Sequence, residues 1–213
     1  MTVWAVVVAA GGGRRFGGPK QFAEIGGRAL VDRSVEAARS VADGVVLVVP
    51  VDVSGATSSN VHGADLVVAG GATRSQSVRA GLNAVPGDAD VIVVHDGARP
   101  LASAALFRSV VDAVVAGADA AVPGVALADT VKRVDDGVVV STVDRLGLVS
   151  VQTPQAFRAE VLRRAHEAGG DATDDAGLVE ALGATVRVVP GDPRNVKVTT
   201  PDDLTMARAL LET

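Results

Sequence analysis

Six residues of strand length and apolar character, Val3-Trp4-Ala5-Val6-Val7-Val8, pass directly into Ala9-Ala10-Gly11-Gly12-Gly13-Arg14-Arg15-Phe16-Gly17-Gly18-Pro19-Lys20-Gln21. A β-branched run of this kind belongs inside a sheet covered on both faces. A buried strand that ends in glycines and then in fixed cations brings backbone N–H groups and positive charge against an anion. The expectation is a phosphate-bearing ligand, in the first place a nucleotide. The plain alternative is a glycine-rich surface turn with solvated charges.

The loop matches neither common phosphate motif. A Walker loop needs Lys and then Ser or Thr after its last glycine, whereas Gly18 is followed by Pro19-Lys20-Gln21. The dinucleotide fingerprint needs a glycine where Phe16 stands, and no acidic residue closes a following strand at the right distance. What remains is a pair of unlike cations. Arg15 offers a planar fork for two phosphate oxygens and Lys20 a compact point charge.

The chain has 213 residues, enough for one domain with a small appendage, and 48% of them are hydrophobic, so a sizeable core is expected. Aromatics supply only 2%, which leaves Val, Leu and Ala to fill that core. With no cysteine there is neither a disulfide framework nor a thiolate metal site, in keeping with a reducing compartment. No apolar run reaches the roughly 20 residues of a membrane span, and no basic region precedes the first apolar run. We expect a cytoplasmic protein with no membrane partner. A net charge of -5 argues against general nucleic-acid binding. It leaves room for cations converging on one cleft.

Short β-branched runs at 45–49, 65–68, 90–94 and 118–122 alternate with helical periodicity at 30–41, 74–84 and 103–116, with Thr73 and Ser103 as N-caps. The alternation predicts an α/β fold: a Rossmann-like, mostly parallel sheet flanked by helices. Ligands of such sheets bind at the carboxyl ends of strands, so the segments after Ala10, Val68 and Val94 should line one crevice. Residues 130–151 break the pattern. Two runs around Asp135-Asp136-Gly137 give a hairpin signal, read as a β-arm projecting from the domain or as an ordinary edge hairpin. Helices are expected again at 159–168 and 174–182, strands at 185–189 and 196–198, and a last helix opening at Pro201 behind Thr200 as cap.

Three further segments carry chemistry. His95-Asp96-Gly97-Ala98-Arg99-Pro100 ends a predicted central strand. Asp96 there could ligate magnesium, which takes one or two carboxylates plus phosphate oxygens, or could cap a turn and pair with Arg99. His95 reads as a hydrogen-bonded structural residue, and the three histidines form no metal-spaced set. Gly70-Gly71-Ala72-Thr73-Arg74-Ser75-Gln76-Ser77 runs from strand end into helix; its glycines allow a planar base to approach and Ser77 could read a polar edge, though an ordinary capped helix start has the same look. Lys197, in Asn195-Val196-Lys197-Val198-Thr199, either snorkels to solvent or points into an anionic site.

Taken with Asp129-Thr130-Val131-Lys132, Thr142-Val143-Asp144-Arg145, Gln152-Thr153-Pro154-Gln155 and Thr173-Asp174-Asp175, these segments make eight motifs in order. The chain resembles the 2-C-methyl-D-erythritol 4-phosphate cytidylyltransferase family over residues 3–211. The resemblance implies a nucleotide-diphospho-sugar transferase type of fold, a single domain over 1–213, and a homodimer joined through the arm at about 130–151. It implies transfer of a cytidylyl group from CTP to methylerythritol phosphate. Arg15, Lys20 and Lys197 would be catalytic, surrounding the CTP phosphates. Ala9, Ala10, Gly11, Gly12, Gly13, Gly71, Arg74, Ser77, Asp96 and Gly97 would bind CTP. Asp96, Arg99, Thr130, Arg145 and Thr153 would bind the acceptor, with Thr130 and Arg145 reaching over from a partner subunit, and Asp96 would hold Mg2+ or another divalent cation. Ala72 departs from the pattern, since some relatives place an acidic residue there.

The nucleophile in such a transfer is a phosphate oxygen already ionised at neutral pH, so no general base is needed and the lack of a Ser/His or His/Asp pair fits. Two rival readings stand beside this one: a cytidylyltransferase acting on ribitol 5-phosphate, and a non-catalytic nucleotide-binding regulator on the same scaffold.

Overall fold

The computed structural model describes residues 1–13, 15–51, 63–170 and 172–212. Arg14 of the glycine loop lies outside the described residues.

Twelve strands and six α-helices are described. In chain order they are β1 Val3–Val8, β2 Glu24–Ile25, β3 Arg28–Ala29, α1 Leu30–Arg39, β4 Gly44–Val49, β5 Leu66–Ala69, α2 Arg74–Ala84, β6 Val91–Asp96, α3 Ala104–Val115 and β7 Ala120–Ala126. There follow β8 Val131–Asp135, β9 Val138–Val143, β10 Val149–Val151, β11 Gln155–Arg158, α4 Ala159–Glu167, α5 Asp175–Ala181, β12 Val186–Pro190 and α6 Pro201–Leu211. The sheet runs β10-β7-β11-β6-β1-β4-β5, with β12 beside β7. β1, β4, β5 and β6 are mutually parallel, as is the pair β7 and β12, whereas β10 and β11 run antiparallel to their neighbours. No described helix is long and apolar enough to cross a membrane.

Both faces of the sheet are covered. Every residue of β4 and β6 is buried, with no alternation between an inner and an outer face, as expected for strands between two helix layers. On one face Val31 and Val35 of α1 and Phe107, Val110 and Val114 of α3 pack on Val7, Leu47 and Val93. On the other face Val78 and Leu82 of α2, Val161 and Leu162 of α4 and Val179 of α5 pack on Val6, Val46, Ile92 and Phe157. Few aromatics are needed because β-branched side chains interdigitate well on a pleated surface.

The helix starts follow local chemistry. Thr73 and Thr200 each close a reciprocal capping box, and Ser103 accepts from the Leu106 N–H. Pro201 occupies the first turn of α6, where its missing N–H costs nothing.

Two expectations are corrected, and one strand is absent from the sequence pattern. Residues 196–198 form no strand: the Val198 N–H donates to the Ala98 carbonyl and the Val196 N–H to that of Arg194, so the segment is latched to loops and has no ladder partner. The arm is shorter than 130–151. β8 and β9 form a separate two-stranded ribbon, but β10 rejoins the main sheet against β7. The strand at 155–158 has no counterpart in the sequence pattern, because Pro154 and the polar Gln155 interrupt it; β11 nevertheless lies between β6 and β7, with Gln155 buried.

Candidate active site

Three strand ends meet at one cleft. The register sets Val8 of β1 beside Asp96 of β6 and Val48 of β4. Just beyond, the Gly97 N–H donates to the Val8 carbonyl at 2.9 Å, Ala9 to Val48 at 2.7 Å and Gly70 to Val49 at 2.8 Å. Ala9, Ala10, Gly11 and Gly12 form one wall of a cavity of about 250 Å³, and Gly71 to Arg74 with Ser77 form another. Asp96, Gly97 and Ala98 lie between them, and Val8, Lys20, Gln21 and Lys197 complete the lining.

Glycine is sterically required at positions 13 and 70. Gly13 has φ of 63°, and a Cβ there would lie 1.7 Å from the Gly18 carbonyl oxygen; its own carbonyl accepts from Phe16 and Gly17. This turn folds the loop back so that Lys20 reaches the cleft. A Cβ on Gly70 would stand 2.3 Å from that of Ala10, so the loops after β1 and β5 touch only because Gly70 has no side chain.

Asp96 is the single acidic residue among those lining the cavity. Its Oδ2 is 2.7 Å from Lys197 Nζ and 3.9 Å from Arg99 Nε, and its Oδ1 is 3.4 Å from Arg74 Nε. Burial works against its ionisation, but Lys197, Arg74 and Arg99 together outweigh it and hold the carboxyl well below the usual range. Lys20 donates to the Val198 carbonyl at 2.7 Å. Its pKa is lowered by burial first and by Lys197 next, with Arg15 adding and Asp96 opposing. Arg15 is exposed and outside the cavity lining, close enough to act on Lys20 through charge.

A second layer holds Asp96. The Thr153 hydroxyl accepts from the Asp96 N–H at 3.0 Å and meets His95 Nδ1 at 3.2 Å, while His95 Nε2 lies 3.2 Å from the Arg99 carbonyl. A carbonyl only accepts, so Nε2 carries the proton and Nδ1 takes the threonine hydrogen. Burial lowers the His95 pKa to about 4, and the ring is neutral. His95 is thus the structural residue expected from its strand-end position.

Arg99 donates to the Asn195 carbonyl at 2.8 Å, and Asn195 in turn donates to the Thr153 carbonyl at 2.9 Å. These bonds fasten the segment that carries Lys197.

The structure therefore brings Ala9, Ala10, Gly11, Gly12, Gly71, Arg74, Ser77, Asp96, Gly97, Lys20 and Lys197 to one cleft. Gly13, Arg99 and Thr153 stand behind the lining, and Thr130 and Arg145 lie exposed on or beside the arm, outside the cavity. Arg145 donates to the Leu127 carbonyl at 3.2 Å and also to that of Ala128. Gln21 and Thr73 join the lining without a sequence signal for that role, and the motifs assign no task to Asp175 or His166. The one hint for that pair is the presence of Asp175 within Thr173-Asp174-Asp175. Among the described residues no three His, Cys, Asp or Glu side chains cluster to hold a metal.

A mostly parallel sheet carrying a glycine cradle and converging cations at its strand ends defines a nucleotidyltransferase-like α/β protein. The family model described as IspD, 2-C-methyl-D-erythritol 4-phosphate cytidylyltransferase, matches residues 3–213, and the chain belongs to that family. The 2-C-methyl-D-erythritol 4-phosphate cytidylyltransferase of Rhodococcus jostii is 47% identical over 216 residues, covering 99% of this chain and 95% of that protein. The crystal structure of the enzyme of that name from Thermus thermophilus superposes with a TM-score of 0.83 at 36% identity over 98% of both chains. The 4-diphosphocytidyl-2C-methyl-D-erythritol synthase from Anaerococcus prevotii gives 0.84 at 30% identity, covering 100% of this chain and 99% of that one.

Proposed function

We propose that this chain transfers the cytidylyl group of CTP to 2-C-methyl-D-erythritol 4-phosphate, releasing pyrophosphate and giving 4-diphosphocytidyl-2-C-methyl-D-erythritol. The observation that carries the reading is the convergence of Lys197 and Arg74 on an ionised Asp96, with Lys20 held in the same cavity by the Val198 carbonyl, beside the glycine walls. In this reading the backbone of 9–12 and the Gly71 to Ser77 turn cradle cytidine. Lys20 and Lys197, with Arg15 closing from the exposed loop, hold the triphosphate and neutralise charge as the bond from the α-phosphorus to the leaving pyrophosphate breaks. The acceptor phosphate oxygen, already ionised, attacks in line, so the protein supplies position and charge rather than a proton acceptor.

Asp96 suits a hard divalent cation such as Mg2+. It is ionised, lies at the cleft and has no acidic neighbour in the lining, which matches an ion that takes one protein carboxylate and completes its shell with phosphate oxygens and water. When bound, such a cation would neutralise phosphate charge and fix phosphate geometry.

The acceptor site extends from Arg99 and Thr153 toward an arm supplied by a second copy, whose Thr130 and Arg145 complete it. Support comes from the arm itself: Val134, Val138, Val139 and Val140 are 55%, 67%, 57% and 60% exposed on a ribbon too small to be stable alone, and Leu146 just beyond it is 86% exposed. Residues 1–213 form one catalytic domain in this reading, and its small charged substrates suit a cytoplasmic enzyme.

The test is pyrophosphate release from CTP with methylerythritol phosphate and, separately, with ribitol 5-phosphate. The reading expects turnover with the first acceptor only. Turnover with ribitol phosphate alone, or with neither, overturns it.

A further inference from the structure

We infer that Asp175 is a positioning residue, setting through Arg74 where a guanidinium stands between Asp96 and the nucleotide. The inference rests on the reading of the cleft as the CTP site.

Asp175 opens α5 and is fully buried, yet it does not line the cavity. A carboxylate in such a place is unfavourable unless it is paired. Its Oδ2 lies 2.8 Å from Arg74 Nη1 and its Oδ1 accepts from His166 Nε2 at 3.0 Å. Arg74, the first residue of α2, places its Nε 3.4 Å from Asp96 Oδ1. One planar fork therefore spans two carboxylates from different elements, close to Asp175 and more distant from Asp96. The capping of α5 does not explain Asp175. Asp174 is the cap, accepting from the Gly177 N–H at 3.1 Å, and it also receives Gln155 Nε2 at 2.8 Å.

The geometry gives Asp175 a definite task. Without its charge the Arg74 fork can close on Asp96 through two parallel N–H···O bonds, the in-plane arrangement guanidinium and carboxylate prefer. That would turn the donors of Arg74 away from the cleft.

Calorimetric titration with CTP in magnesium buffer tests this on wild type, Asp175→Asn, Arg74→Ala and the double variant, together with steady-state kinetics. Asp175→Asn should weaken CTP binding about tenfold, the loss expected when a charged hydrogen-bond donor is misplaced. KM for CTP should rise while KM for methylerythritol phosphate stays put. Arg74→Ala and the double variant should bind CTP alike, since Asp175 acts only through Arg74. Wild-type affinity in Asp175→Asn, or an equal loss on the Arg74→Ala background, overturns the inference while leaving the CTP reading intact. Failure of the wild type to bind CTP overturns both. Should Asp175→Asn not fold, Asp175→Glu carries the test, because it keeps a buried carboxylate for Arg74 and His166 but moves it along the chain. Weakened CTP binding that disappears on the Arg74→Ala background supports the inference there, and wild-type affinity, or an equal loss on that background, overturns it.

Discussion

Lys197 Nζ lies 2.7 Å from Asp96 Oδ2, joining the loop before the last helix to the end of β6. The two residues are far apart in sequence. The pair forms because Val198 is latched to Ala98 on one side and to Lys20 on the other, which draws the segment over the strand ends. A cation held by a carboxylate this way is fixed before any phosphate arrives.

Loss of either lysine should therefore act on the chemical step more than on binding. Lys20→Ala and Lys197→Ala should each lower kcat by about 100-fold or more, with a smaller effect on the dissociation constant for CTP. Steady-state kinetics beside calorimetric titration separates the two. Near-normal turnover in either variant contradicts the role given to the cations.

Chelation gives a second test. Activity should vanish in EDTA and return with magnesium, and Asp96→Asn should raise the magnesium concentration needed for half-maximal activity, because a neutral amide is a poorer ligand for a hard cation. An unchanged magnesium requirement in Asp96→Asn removes Asp96 from the metal shell.

Much of this is legible in the sequence, and the reasons are local. The strand-loop-cation order at Val3 to Lys20 and the caps Thr73, Ser103 and Thr200 depend on neighbours a few residues away, and each appears where the residues predict it. What escapes depends on tertiary partners. β11 is a strand because β6 and β7 flank it, and its own residues include a buried glutamine. Residues 196–198 look like a strand by composition but are claimed by loop carbonyls. Thr153 and Arg99 carry polar groups that composition cannot assign to the cleft or to its support; both have partners that brace Asp96 or the Lys197 segment.

His95 predicts a pH dependence of stability. Its pKa falls from 6.5 to about 4 on folding, so between these values the unfolded chain binds the proton that the folded chain refuses. Stability contributed by the neutral ring is present above about pH 6.5 and is lost progressively as pH falls toward 4, on the order of 3 kcal/mol in all. Asp96, with its lowered pKa, adds a further loss of stability at more acid pH. Denaturant unfolding from pH 7 to 4 should show a clearly smaller decline in His95→Gln. An identical decline in the variant contradicts the assignment.

The arm predicts complementation between subunits. Arg145→Ala and Lys20→Ala should each be inactive alone, yet lie in different subunits of one composite site. A mixed dimer carries both defects in one site and neither in the other, so random mixing leaves roughly a quarter of sites intact in a symmetric dimer. Co-refolded variants should recover activity in that proportion. No recovery from dimers verified by sedimentation places Arg145 in its own subunit's site or in none.

In the proposed transfer the acceptor phosphate attacks the α-phosphorus of CTP directly, with the protein holding both anions in line and forming no bond of its own. The stereochemical course at that phosphorus reads this out. With CTP carrying a single sulfur-labelled configuration at the α-phosphate, one in-line displacement must invert the centre, and inversion in the product is the predicted result; retention, which requires two displacements and a cytidylyl group carried on the enzyme, would contradict the account.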